Sequence, residues 1–475
     1  MKLKRTLLYL SLVIFVGMLG VSWLTLGTGI VKNDLARNIY IPQQLLMPLQ
    51  VKAAYNGRDM FFRYRWPSER PGIYHDMLKY EKGKWVRYGA SVPGPQPQGI
   101  YEDRVTMLVD DGSVPDFKNY GGYITIGDRM RFFTDEATKK EVQGHPYLGK
   151  KKKQKEVGKH LPETRSDVND WASVVPEDDL AALRRAGYFL DLWHWRAHRS
   201  NPVDKSDDQF VAEARYGDSG KGPFFTNWNS KKKQPKLMFD PAKTGRRALK
   251  WDNLAQRKLG FDDLYYLRED QAIPFDPSLE WKEGDTIPRR VLRTGEGSRA
   301  DISVAGKARW KDGFWDVTLV RAMDTGHPLE DKVMIDKGVY TVAFAVHRNA
   351  TGSRWHYVSL PVSVGLGRAA ELEAVGFDGE APKWDQAWLD VTLFYPGQVS
   401  WPLLVNRERH PGAEQISQGV PVKYRHSEKQ LALYGVEMEF SSGIQRQWLL
   451  TMLAGLALIA AFGVAINLLT DRKEG

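Results

Sequence analysis

The strongest constraint on this chain is the stretch from Asp301 to Val364, where three alternating runs follow one another. In the first, Trp315, Val317 and Leu319 fall on one face. In the second, Tyr340, Val342, Phe344 and Val346 share a face, and Thr341, Ala343, Ala345 and His347 share the other. In the third, Trp355 and Tyr357 stand opposite His356, Val358 and Leu360. Successive side chains of a strand point to opposite faces, and Asp-Gly, Lys-Gly and Asn-Ala-Thr-Gly breaks separate the runs. The pattern therefore predicts antiparallel β-structure.

Composition narrows the class further. The 475 residues are 42% hydrophobic and 27% charged, which is globular and enough for one large or two ordinary domains. Aromatics reach 12%, with 16 Trp, as suits a β-rich protein or an aromatic-lined pocket. Cysteine is absent. That excludes disulfides, iron–sulfur clusters, thiolate metal sites and covalently attached c-type haem.

Both ends of the chain are apolar. Lys2, Lys4 and Arg5 precede a charge-free run from Thr6 to Val31, and a second apolar run spans Trp448 to Leu469 before Asp471, Arg472 and Lys473. Each reaches the about 20 residues needed to cross a bilayer. No small-residue cleavage site stands before Lys32, so the first run reads as a retained anchor rather than a cleaved signal peptide. Basic residues outside both runs place both termini in the cytoplasm, at the inner membrane, with an extracytoplasmic body between them. The expected plan is a tail at 1–5, an anchor at 6–31, a β-sandwich at 45–365, a membrane-proximal β-rich unit at 366–445, a transmembrane helix at 448–469 and a tail at 470–475. The expected fold class is mainly β, an antiparallel β-sandwich body with one N-terminal and one C-terminal transmembrane helix.

Further strands are expected in the body. Val51 to Trp66 reads as a hairpin around Asn56-Gly57, with Met60, Phe62, Tyr64 and Trp66 on its apolar face. Glu102 to Asp110 and Leu190 to His198 read as strands, and Pro176 to Ala186 as a short helix. In 366–445 the clearest strand and turn is 389–401. The lysine runs at 150–155 and 231–236 read as solvated loops, or as a docking face for an acidic redox partner or anionic lipid. They lack interleaved aromatics, which speaks against nucleic acid.

Catalytic signatures are missing: there is no G-x-S-x-G, Walker A, H-E-x-x-H or C-x-x-C. Asp207-Asp208 and Asp178-Asp179 read as turn or helix-cap residues. The histidines carry more. His194 and His198 keep to one side of a strand through their even spacing, as buried hydrogen-bonded residues or as haem ligands. His347 and His356 flank a hairpin and can approach one another. Two histidines near strand ends, one beside a row of alanines, leave room for a flat group such as haem. His75, His145, His160 and His327 stand in polar loop sequence and are expected to be exposed.

Three segments together resemble a known family: A-R-W-K-D-G-x-W-x-V-x-x-x-R (308–321), G-V-Y-x-V-A-F-A-V (338–346) and R-W-H-Y-V-S (354–359). They are similar to the haem-binding domain of ethylbenzene dehydrogenase-type γ-subunits and their membrane-associated multihaem relatives. L-D-L-W-H-W-R-A-H-R-S-N-P (190–202) and K-A-A-Y-N-G-R-D-M-F-F-R-Y-R-W (52–66) extend the resemblance over roughly 50–430. It implies a β-sandwich carrying one b-type haem between its sheets and passing electrons in a respiratory complex. The γ-subunits ligate iron with a methionine and a lysine. The resemblance puts His356 at the lysine's position and offers Met130 upstream as the methionine.

This chain departs from the multihaem relatives where they attach haem covalently. G-G-Y-I-T-I-G-D-R-M-R (121–131) has neither Cys nor His, and after F-Y-P-G-Q (394–398) and H-P-G-A (410–413) only His426 remains of the second attachment motif. Non-covalent haem b held by His356, and by His426 with His410, is one outcome; a haem-free structural or assembly subunit that keeps the fold is the other. Either way the chain is expected to be a carrier or subunit rather than an independent enzyme.

Overall fold

The alternating runs assemble into one fourteen-stranded sheet. The computed structural model describes residues 2–29, 46–89, 100, 102–127, 137–157, 159–167, 170–348, 356–394, 407, 414 and 441–471. The strands of the sheet are β1 (Leu46–Tyr55), β2 (Asp59–Pro67), β3 (Arg104–Asp110), β4 (Leu190–Arg196), β5 (Asp207–Val211), β6 (Arg215–Gly217), β7 (Ser303–Val304), β8 (Arg309–Lys311), β9 (Phe314–Ala322), β10 (Val339–His347), β11 (Tyr357–Val358), β12 (Val362–Leu366), β13 (Leu372–Gly376) and β14 (Leu389–Phe394). The longer helices are α1 (Lys2–Gly29), α2 (Pro115–Gly127), α3 (Glu177–Arg185) and α4 (Ser441–Asp471).

The sheet runs β7-β9-β2-β1-β13-β12-β10-β3-β4-β5-β6, with β8 on β9 and with β11 and β14 linking β10 to β1. Pairing is antiparallel except at β13, which runs parallel to β1 and β12. The apolar faces foreseen on β2 and β9 coincide, because Phe62 pairs with Leu319, Tyr64 with Val317 and Trp66 with Trp315. The sheet doubles over so that this face meets β3, β4 and β10. Trp66 lies 5.9 Å from Trp195, Phe62 lies 5.6 Å from Trp193, and Tyr64 lies 6.0 Å from Phe344. The interior of the sandwich is thus filled with buried aromatic rings. Each such ring contributes about 4–6 kcal/mol of apolar burial before conformational entropy is subtracted.

Two local readings change. The β1–β2 register closes at Tyr55 and Met60, and Asn56 to Arg58 form the loop between the strands. The Asn56 side-chain oxygen accepts from the N–H groups of Arg58 (3.1 Å) and Asp59 (2.7 Å), and Gly57 supplies φ +80°. An asparagine closing its own loop replaces the expected two-residue turn. Toward the C-terminus, β14 pairs with β1 from Leu46↔Phe394 to Val51↔Leu389, in the main sheet. Residues 395–401 lie outside the described residues.

The face of β3, β4, β5 and β10 that points away from the tryptophans carries a second apolar cluster. Leu108, Leu192, Val211 and Ala343 meet Phe117 and Ile126 of α2 there. α2 breaks at Gly121 (φ 70°), and a Cβ on Gly122 would lie 2.5 Å from the end of Leu108. The glycine pair lets the helix lie close on the sheet.

Met1–Ile41 and Ser427–Gly475 form one compact unit, and Pro42–His426 the other. Within the first, Phe15 packs over Gly455 and Leu8 over Gly463, so α1 and α4 run antiparallel with the two chain ends at one end of the pair. Small residues at such contacts allow close helix approach. The 22-residue stretch Arg446–Asn467 is long and apolar enough to cross a membrane. The apolar stretch of α1 among the described residues is shorter, Leu8–Val21.

Candidate functional site

Strand register gathers the site on the sheet face beneath α2. Ala345 pairs with Thr106, and Thr106 with His194; one pair along, His347 pairs with Arg104, and Arg104 with Arg196. Alternation sends these side chains to the same face as Ala343 and Leu108. The result is a floor of small residues, Ala343, Ala345 and Thr106, flanked by the imidazoles of His347 and His194. Three guanidiniums, Arg104, Arg196 and Arg215, line one edge of it.

The imidazoles on this floor are neutral. Burial, with Arg196 and Arg215 adding to it, holds His194 well below the ordinary histidine pKa. Its Nδ1 accepts from Arg196 Nη2 (2.9 Å) and Arg215 Nη2 (2.8 Å), and both donors are guanidiniums. The ring proton therefore sits on Nε2. That tautomer has no lone pair left for a metal. His347 is also held well below its ordinary pKa, by burial and then by His356 and Arg104. Its buried Nδ1 has no hydrogen-bond partner among the described residues. His347 and His356 do approach, with ring centroids 4.8 Å apart and planes at 26°. They lie face to face, so one of the two rings, rather than both, would hold an iron.

The edge of the floor is positively biased. Arg196 is compensated by Asp207 (2.6 Å) and Arg104 by Glu102 (3.1 Å). Burial would raise Glu102, but Arg199 and Arg104 hold it down to about 2. Arg215 donates to Gln209 and His194 and makes no ion pair among the described residues. A half-buried guanidinium in no ion-pair contact suits an anionic group of a ligand.

The remaining histidines fall elsewhere. β4 ends at Arg196, so His198 leaves the strand and does not share the partners of His194. The His198 Nδ1–H donates to the Ile73 carbonyl (2.9 Å), and its ring packs against Tyr265, on the aromatic side. His75 and His160 are buried, at 6% and 1% exposure, against the expectation of exposed loops. His75 lies between Asp76 (3.5 Å) and Glu102 (3.9 Å), acidic partners that come from outside its own polar segment or next to it. His145 is half-buried, its Nδ1 accepting from the Leu148 N–H, while His327 is exposed as expected. Met130, His410 and His426 lie outside the described residues.

Asp207 and Asp208 are not turn residues. Both are fully buried on β5 and point to opposite faces, Asp207 to Arg196 and Arg299, Asp208 to Arg321. Asp178 and Asp179 stand in the first turn of α3. Sequence reasoning also passed over Arg104, Arg196 and Arg215, although each follows the strand alternation that marks the histidines.

A sandwich of this kind, with neutral buried imidazoles beside small residues and a cationic edge, is matched by the family model for ethylbenzene dehydrogenase over residues 24–359. The chain belongs to the ethylbenzene dehydrogenase family. The family match takes in β1 to β11 and both histidines of the stacked pair, and ends at Ser359. It stops short of F-Y-P-G-Q, H-P-G-A and His426, to which the motif resemblance extended. No curated protein matches the chain. The side chains on the family's sheet face fit a non-covalent haem in kind: neutral imidazoles, an orphaned ring nitrogen on His347, and guanidiniums able to pair carboxylates.

Proposed function

We propose that this protein is a membrane-anchored, extracytoplasmic electron carrier that holds one non-covalent b-type haem and serves a membrane redox chain. The carrying observation is the floor of Ala343, Ala345 and Thr106 set between neutral imidazoles and a guanidinium-lined edge. His356 or its stacked neighbour His347 would hold the iron, with Met130 as the candidate second ligand. Arg215 would pair a haem carboxylate, while His194, fixed by two guanidiniums, would orient that edge rather than bind iron. A haem ligated on both sides by protein exchanges single electrons and leaves no position open for substrate chemistry. The antiparallel α1–α4 pair and the basic residues at both chain ends support cytoplasmic termini with the sandwich outside. Protein redox partners are expected at the exposed lysine runs, and no nucleic acid.

A haem-free subunit with the same fold is the second reading. It is favoured by the saturation of His194 Nδ1 and by the face-to-face closure of His347 on His356.

The test is substitution on the floor. His356→Ala should remove much of the Soret absorbance of the full-length, detergent-purified protein while leaving its thermal unfolding unchanged. Ala345→Phe, which fills the floor, should do the same without touching a ligand. Full Soret absorbance in both variants would sink this assignment of the site.

A further inference from the structure

The aromatic side of the same strands holds a charge cluster that the haem reading does not use. Arg321 of β9 is buried against Trp193, its guanidinium carbon 4.7 Å from the ring centroid. Its Nη1 donates to Asp208 (2.7 Å), Asp331 (3.0 Å) and Asp191 (3.2 Å), and carboxylate oxygens of these three all lie within 4.8 Å of one another. Three carboxylates already exceed one guanidinium. Two more stand beside them. Asp301 hydrogen-bonds to Asp208, and the Asp218 N–H reaches the Asp208 carbonyl at 3.4 Å.

Asp218 is the telling member. Its side chain is buried, at 4% exposure, and neither of its oxygens has a hydrogen-bond partner among the described residues. Asp301 Oδ1 is buried and without a partner in the same way. Protons can remove some of the charge: burial, then Asp331 and Asp191, push Asp218 up to about 9. A proton on Asp218 still leaves an O–H without an acceptor and a carbonyl oxygen without a donor. A cation satisfies charge and oxygens together. The donors are all oxygens, which favours a hard ion over the softer transition metals. They come from β4, β5 and three separate loop positions, which suits calcium, with its about six to eight oxygens in adaptable geometry, better than octahedral magnesium.

We propose that Asp191, Asp208 and Asp331, with the unpartnered oxygens of Asp218 and Asp301 beside them, form a calcium-class divalent cation site next to Arg321. Asp191, Asp208 and Asp331 are shared between the guanidinium and the cation. The ion ties β5 to the segments after β6 and β9 and to the turn before β7, and so clamps one edge of the sandwich. This reading does not depend on haem.

Terbium substitutes for calcium and is excited through a nearby indole, and Trp193 stands against the cluster. Full-length protein in detergent, stripped with EDTA and titrated with terbium, should show indole-sensitised emission that calcium displaces. Calcium should also raise its thermal unfolding temperature, because a ligand of the folded state alone stabilises it. Asp218→Asn should weaken the terbium response about tenfold or more while unfolding no earlier than the wild type in EDTA. Asp301→Asn, at a half-buried turn position, repeats the readout should Asp218→Asn fail to fold. Absence of calcium-displaceable emission in the wild type, or an unaltered titration in the folded variants, overturns the proposal.

Discussion

His347 and His194 tie the candidate site to pH. Burial, ahead of the neighbouring cations, depresses both folded-state pKa values well below the ordinary value. An unfolded histidine takes up a proton below about pH 6.5. The unfolded state thus binds more protons than the folded one in that range, and stability falls as pH falls through it. The stabilisation is fully present above about pH 6.5. Thermal unfolding of the full-length protein should therefore drop to lower temperature between neutral and mildly acidic pH, and His347→Gln should lessen the drop. An identical pH profile in the variant would contradict the neutral, buried assignment. At this scale the sequence was half legible. Period two put His347 beside Ala345 and sent Trp193 and His194 to opposite faces, as the structure has them. It also continued Trp315, Val317 and Leu319 to Arg321, yet a charge at the next buried position reads as the end of a run. Its carboxylate partners lie 130, 113 and 10 residues away, so nothing local announces them.

At the scale of elements, α2 sits close on the sheet over Leu108 and Ala343, at one end of the proposed floor. Gly122 makes it possible, because any Cβ there meets Leu108. Gly122→Leu should lower stability by about 1–3 kcal/mol, as overpacked sites do, and should lower haem content more than it lowers helix content by circular dichroism. Retained haem in a destabilised Gly122→Leu protein would show that α2 does not cover the cofactor. The strands themselves were readable because each buries one face and exposes the other. Their partners were not. β14 completes a pairing with β1 more than 300 residues earlier in the chain, and a boundary drawn from local composition carries no record of such a contact. The loop at Asn56 escaped for a different reason, since the asparagine side chain substitutes for a backbone turn.

For the whole molecule, the aromatic packing bears on where we propose a flat cofactor to lie. Trp66, Trp193, Trp195 and Trp315 fill the space between the two halves of the sheet, which is why our proposal takes the face beneath α2 rather than the interior. The resemblance in the sequence named the fold and the family and placed the group by analogy, whereas the proposed site rests on the side of the sheet on which His194 and His347 stand. On our proposal this face holds haem without a covalent bond. That is tested most directly by visible spectra of the full-length protein, oxidised and dithionite-reduced, with a pyridine haemochrome assay after acid–acetone extraction. A reduced α-band and stoichiometric haem that extracts completely are expected. A spectrum flat above the aromatic band, from protein produced with haem in supply, would contradict the proposal and leave the haem-free subunit as the reading.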